Sequence, residues 1–175
     1  MRKSEKEIIV HAHFEQLASE YDYWKERAHY YYSSLKKIYQ NFIPAGSRVL
    51  EIGCGTGEIL SSVGPKHGVG IDISEGMIAR AKQKFPQLTF FVDDAQEIKR
   101  VRGTFDYVVM SDLIEHVYDV QTILEEARRF LKPQGSLVLT SINPLWSPIF
   151  DLAERFHLKA AEGPHKWLSA PQLKN

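Results

Sequence analysis

Arg48-Val49-Leu50-Glu51-Ile52-Gly53-Cys54-Gly55-Thr56-Gly57-Glu58 reads as a short strand that runs into a glycine-rich turn and then opens a helix through Ile59 and Leu60. Valine, leucine and isoleucine with little polar alternation suit a strand covered on both faces. The glycines permit a tight turn and let a ligand approach the backbone closely. Their spacing is G-x-G-x-G. A dinucleotide-binding turn places its third glycine one residue later, where this chain has Glu58, and a carboxylate at a helix start repels a pyrophosphate seated on the helix dipole. The ligand expected at this turn therefore carries no phosphate.

Working outward, the same strand-then-helix unit recurs. Gly68-Val69-Gly70-Ile71-Asp72-Ile73 reads as a second strand, and Ser74 as the N-cap of a helix carrying Met77, Ile78, Ala81 and Phe85 until Pro86. Leu88 to Val92 and Phe105 to Met110 read as the third and fourth strands. Asp119 caps a helix whose apolar positions Val120, Ile123, Leu124, Ala127, Phe130 and Leu131 share one face, with Pro133 and Gly135 as its breakers. Ser136 to Ile142 reads as the fifth strand. Upstream, Trp24, Ala28, Tyr31, Leu35, Ile38, Tyr39 and Phe42 fall on one face of a single helix ended by Pro44 and Gly46. Apolar strands alternating with helices predict an α/β fold, a doubly wound, mostly parallel sheet covered on both faces. Ligands of such sheets bind beyond the carboxyl ends of the strands.

The 175 residues suffice for one domain, which divides into an N-terminal helical cap (1–45), a core (46–145) and a post-core helix (146–175). Lysine plus arginine and aspartate plus glutamate both number 22, and the pI is near 7.1. No net field attracts nucleic acid, so a small-molecule partner is expected. The single cysteine, Cys54, cannot form an internal disulfide, which suits a cytoplasmic protein. No stretch is apolar for long enough to span a bilayer.

A ligand without phosphate that meets this turn is S-adenosylmethionine. Its methionyl carboxylate can take backbone N–H groups, and its ammonium and sulfonium tolerate nearby acids. Asp72 follows the first strand by about twenty residues, where an acid can accept both ribose hydroxyls. Asp94 ends the third strand, placed to reach an adenine amino group, with the Ala95 N–H available to a ring nitrogen. For each acid the plainer reading is a turn or helix-cap residue.

The stretches V-L-E-I-G-C-G-T-G, G-I-D-I-S, D-D-A-Q-E-I, F-D-Y-V-V-M-S-D-L-I-E-H-V and L-K-P-Q-G-S-L-V-L, in this order, resemble class I S-adenosylmethionine-dependent methyltransferases. The nearest are those of ubiquinone and menaquinone biosynthesis, over about residues 10 to 144. The resemblance implies a Rossmann-like sheet of order 3-2-1-4-5. It implies that Gly53, Gly55 and Gly57 bed the methionine moiety, with Asp72 on the ribose, Ile73 on adenine, Asp94 and Ala95 at its edge and Ser111 near the amine. Glu51, Cys54 and Met77 complete the expected cofactor-binding set. H-F-E-Q-L-A-S-E-Y-D is similar to a segment that lids the cofactor, which nominates Tyr21. S-adenosylhomocysteine is then the expected product. The family usually adds two more strands that this chain does not supply, so a truncated chain is expected, with its fifth strand as a sheet edge through which two copies could pair.

Methyl transfer from a sulfonium needs positioning of the acceptor and removal of its proton. Asp112, Glu115 and His116 follow the fourth strand, and D-x-x-E-H is similar to the E-x-x-E-H of quinone O-methyltransferases, where these positions hold a divalent metal beside the acceptor. Three readings stand: a metal site of Asp112, Glu115 and His116; His116 and Glu115 as catalytic residues without metal; and residues that only shape the loop. Asn143 to Phe156 and Glu162 to Trp167 offer an aromatic stretch that is either packing or an acceptor lid. The expected activity is O- or C-directed methylation of a small molecule. An S-adenosylmethionine-using enzyme without methyl transfer, a cofactor-sensing module and a nicotinamide oxidoreductase are the competing readings.

Overall fold

The computed structural model describes residues 5–117, 119–142 and 155. The post-core helix and acceptor lid expected over 146–175 lie outside these residues, Arg155 excepted. Five parallel strands form one sheet in the order β3-β2-β1-β4-β5, with β1 at Arg48–Ile52, β2 at His67–Asp72, β3 at Thr89–Val92, β4 at Phe105–Ser111 and β5 at Leu131–Thr140. Chain order reverses between β1 and β4, so the crevice of a doubly wound sheet opens there. All strands being parallel, Asp72 at the end of β2 lies on one edge of the sheet with Gly53, Asp93 and Asp112, which follow β1, β3 and β4.

Alternation along the strands divides the core in two. Leu50, Ile52, Val108 and Met110 pack with Ile123, Ala127 and Phe130 on the side covered by α6 (Val120–Arg129). Val49 and Val109 turn the other way, toward α3 (His29–Phe42), α4 (Glu58–Ser62) and α5 (Glu75–Lys84), where Leu35, Tyr39, Leu60, Ile78 and Phe90 complete the layer. Ser74 caps α5 by accepting Met77 N at 3.1 Å, and Asp119 caps α6 by accepting Gln121 N at 3.0 Å and Thr122 N at 3.2 Å, as the sequence predicts.

Two predicted boundaries are corrected. The single helix expected over Trp24 to Phe42 is two, α2 (Tyr21–Arg27) and α3, parted at Ala28 with φ −97° and ψ 26°. The break lets α2 turn Lys25 inward while α3 independently buries Leu35 and Tyr39. Tyr31, Ile38 and Phe42, placed by periodicity on the buried face, are exposed instead. At the other end of the core, α6 stops at Arg129, and Leu131, Pro133 and Gly135 already belong to β5. Pairing jumps from Phe105↔Leu131 to Tyr107↔Ser136, so Pro133 lies in a bulge where the ladder requires no N–H. A Cβ at Gly135 would lie 3.0 Å from both Lys132 N and Phe105 O, which is why glycine turns this bulge.

Ahead of α2 runs α1 (Glu5–Leu17). Among the described residues β5 pairs with β4 alone, and no helix is long and apolar enough to cross a membrane.

Candidate cofactor and acceptor site

The glycine turn joins β1 to α4, with Gly53, Gly55 and Gly57 all at positive φ (73°, 50° and 78°), a region that costs a side chain dearly. Gly57 leaves room for the Phe90 ring, whose nearest atom would stand 2.7 Å from an added Cβ. Gly53 similarly admits Leu113 from the loop after β4. The turn holds itself in shape. Gly53 N and Cys54 N both donate to Ile71 O, at 2.8 and 2.9 Å, and Gly57 N donates to Cys54 O at 2.8 Å.

Asp72 ties this turn to the next unit. Its Oδ2 accepts Gly55 N at 2.8 Å and its Oδ1 accepts Ser74 N at 3.0 Å. The turn-residue reading and the ligand reading of Asp72 are thus compatible, since each carboxylate oxygen keeps a further lone pair. Burial raises its carboxyl above the ordinary range, against the pull of the Ser74 and Gly55 N–H groups. Glu51, fully buried, is pushed by that burial to about 8, while Lys25 and the Leu60 N–H, which donates to its Oε2 at 3.0 Å, act in the other direction. Glu58 has the opposite fate. Its partial burial favours the neutral form, but Lys25, Lys84 and Lys36 outweigh it and hold the carboxylate at about 2. Glu58 is therefore a carboxylate at the start of α4, paired with Lys36 at 2.9 Å and Lys84 at 2.7 Å.

The remaining predicted contacts fall as follows. Cys54 is buried in the turn and Met77 in α5, whereas Ile73, Ala95 and Ser111 are half-buried along the same edge. Asp94 accepts Gln96 N at 2.9 Å and is half-buried. Its neighbour Asp93, which sequence reasoning passed over, is the structural acid of the pair, accepting Lys99 N at 2.9 Å and Arg100 N at 2.7 Å. Tyr21 reaches the turn as nominated, its ring lying 3.3 Å from where a Gly55 Cβ would stand. One helical turn on, Lys25 is buried and lies against Thr56, a residue the sequence reading missed. The only signal for it was its i+4 spacing from Tyr21.

The residues expected at the acceptor end, Asp112, Glu115 and His116, follow β4. Asp112 has φ +48°, the one such non-glycine among the described residues, and strain of this kind persists where the surroundings over-determine it. Here those surroundings are two hydroxyls: Tyr31 donates to Oδ2 at 2.6 Å and Thr140 to Oδ1 at 2.9 Å. The buried Tyr39 hydroxyl lies 3.1 Å from Thr140 Oγ1 and donates to Met110 O at 3.0 Å. Glu115 is buried, with Oε1 accepting Ile142 N at 2.7 Å and Oε2 unbonded. The Phe14 ring stands edge-on to His116 at 5.1 Å. Among the described residues no three His, Cys, Asp or Glu side chains are grouped to hold a metal. Asp112, Glu115 and His116 share one loop without converging on a point.

This geometry has counterparts. A family profile described as a methyltransferase domain matches residues 23–175. The chain belongs to that methyltransferase family. Among its relatives are the ubiquinone biosynthesis O-methyltransferase of Coxiella burnetii, 34% identical over 62% of this chain and 49% of that protein, and the demethylmenaquinone methyltransferase of Oceanobacillus iheyensis, 32% identical over 78% and 63%. The chain thus spans about half the length of the first of these methyltransferases. Solved family folds superpose well. A Thermotoga maritima S-adenosylmethionine-dependent methyltransferase, described as a possible histamine N-methyltransferase, gives a TM-score of 0.78 at 23% identity over 94% of this chain and 77% of that one. The magnesium protoporphyrin IX methyltransferase of Synechocystis, solved with bound S-adenosylhomocysteine, gives 0.69 at 19% identity over 97% and 85%. The strand order predicted from the resemblance is the order observed.

Proposed function

We propose that the chain binds S-adenosylmethionine at the Gly53–Gly57 turn and transfers its methyl group to the oxygen or carbon of a small, apolar or phenolic acceptor. The observation that carries the reading is Asp72, a half-buried acid bonded to the glycine turn with lone pairs left for two ribose hydroxyls. Family membership and the quinone-pathway relatives support the same chemistry. In the reaction the acceptor attacks the methyl carbon, the carbon–sulfur bond breaks and sulfur keeps the electron pair. Enzymatic rate then comes from alignment and from a base for the acceptor's proton. His116 is the proposed proton acceptor or orienting group. Glu115, with one oxygen fixed on Ile142 N, is proposed to position the loop that carries it.

Calorimetric titration with S-adenosylmethionine, S-adenosylhomocysteine and NAD tests the cofactor assignment directly. The first two are expected to bind and NAD not to; the reverse order would replace this reading with a nicotinamide enzyme. Mass analysis after incubation with a panel of catechols and quinols then separates methyl transfer, which yields S-adenosylhomocysteine and a methylated acceptor together, from other use of the cofactor and from binding without turnover.

A further inference from the structure

Among the described residues three buried side-chain atoms have no hydrogen-bond partner: His13 Nε2, Glu115 Oε2 and Ser141 Oγ. They come from α1, from the loop after β4 and from the residue after β5, yet all border one place. Ser141 stands between Thr140, which donates to Asp112 Oδ1 at 2.9 Å, and Ile142, whose N–H donates to Glu115 Oε1 at 2.7 Å. The His13 ring lies 5.2 Å from that of Phe14, which lies 5.1 Å from that of His116. Buried polar atoms of folded proteins are nearly always bonded, and leaving one bare is costly. Three around a single loop call for a ligand that pairs with them.

The chemistry of these atoms limits what that ligand brings. Glu115 is 3% exposed and Asp112 half-buried, and among the described residues no lysine or arginine forms an ion pair with either. The partners of Asp112 are the neutral hydroxyls of Tyr31 and Thr140. A carboxylate accepts hydrogen bonds only, and a buried one without a cation is costly. The serine hydroxyl and an imidazole nitrogen accept as well. A compact group with several donors and a positive charge answers all of them, and an ammonium, with its three N–H donors, is that group. A carboxylate or phosphate would meet repulsion there, and an alkyl group would leave the three atoms bare.

We propose that the methyl acceptor carries a protonated amine, received by Glu115 Oε2 together with Ser141 Oγ and His13 Nε2. The assignment rests on the S-adenosylmethionine reading above and narrows its acceptor to a phenolic amine. It divides the work of Glu115, with Oε1 holding Ile142 N and Oε2 holding the substrate, and it brings α1 into the acceptor site.

The test uses probes that share a phenol and differ at the far end of the side chain: tyramine with an ammonium, tyrosol with a hydroxyl and 4-hydroxyphenylacetate with a carboxylate. Each is titrated by calorimetry into the protein saturated with S-adenosylhomocysteine, for the native chain, Glu115→Gln and Ser141→Ala. The native protein is expected to prefer tyramine to tyrosol by about tenfold to a hundredfold, the range of one charged hydrogen bond, and to bind the acid most weakly. Glu115→Gln keeps an oxygen for Ile142 N and should lose that preference. Ser141→Ala, which leaves the charge in place, should weaken tyramine by a smaller factor and leave the acid unchanged. Equal binding of tyramine and tyrosol would mean that the acids are held neutral and would overturn the assignment. So would a preference for the amine that survives Glu115→Gln, or failure of tyramine to bind while S-adenosylhomocysteine does. If S-adenosylhomocysteine itself does not bind, the cofactor reading fails first and this assignment falls with it.

Discussion

Glu51 shows how one buried side chain sets the response of the fold to pH. Its carboxyl rises from the ordinary 4.5 to about 8 because burial disfavours its charge. Between those values the folded chain holds a proton that the unfolded chain releases, so unfolding free energy falls as pH rises through the window. Glu51→Gln keeps an oxygen for the Leu60 N–H and removes the titration. Urea unfolding should find the variant level with the native protein at about pH 5 and more stable at about pH 8, by on the order of 2–4 kcal/mol. Asp72, raised by burial in the same direction, leaves a residual slope in both proteins. If the variant declines as steeply as the native protein, Glu51 is not the source. The glycines, Asp72 and Glu58 were legible in the chain because each breaks or satisfies a local rule within a few residues of the turn. Lys25 was not, because a lysine in an amphipathic helix ordinarily reads as solvated and its burial depends on Thr56, Tyr21 and Tyr32 meeting in space.

Among the elements, strands were easier to read than the helices around them. Each strand is an uninterrupted apolar run between polar residues, and burial on both faces enforces that pattern. The division at Ala28 carried no glycine, proline or capping side chain to announce it. Pro133 misled for a related reason, since a breaker within a bulge looks the same in one dimension as a breaker before a strand. The joint between α1 and α5 is also invisible in sequence. Ser74 Oγ caps α5 and at the same time donates to Glu15 Oε2 at 2.7 Å, while Glu15 accepts Gly76 N at 3.1 Å, so two helices share one cap. Ser74→Ala should cost about 1–2 kcal/mol in thermal or urea unfolding. Ser74→Asp should recover most of that loss by capping α5, yet leave α1 faster in hydrogen exchange, because its carboxylate faces that of Glu15. Equal protection of α1 in both proteins would mean that packing holds the helix without this bond.

Across the whole chain, the cap is fastened to the sheet layer by contacts of unequal worth. Lys36–Glu58 at 2.9 Å, Lys84–Glu58 at 2.7 Å and Lys84–Asp22 at 2.8 Å are partly exposed, and such pairs contribute little and are screened by salt. Tyr39, fully buried and bonded to Met110 O, anchors α3 far more firmly. The cap therefore has a fixed part, α3, and a lighter part, α2, lying over the turn. Beneath that turn is Cys54, the only thiol in the chain, buried and with its proton held tightly by burial beside the charges of Asp72 and Glu51. Its Sγ lies 2.8 Å from where a Cβ on Gly70 would stand, wedged between β1 and β2. A thiol reagent can reach it only when the turn lifts, and the thiolate forms only then. Modification of the native protein should accordingly be slow, stoichiometric at one label per chain, and slower again with S-adenosylhomocysteine present. Rapid labelling that ignores the ligand would show that the turn opens without regard to what it holds. The molecule thus contains its own clock, a sulfur atom whose rate of capture counts how often the binding site breathes.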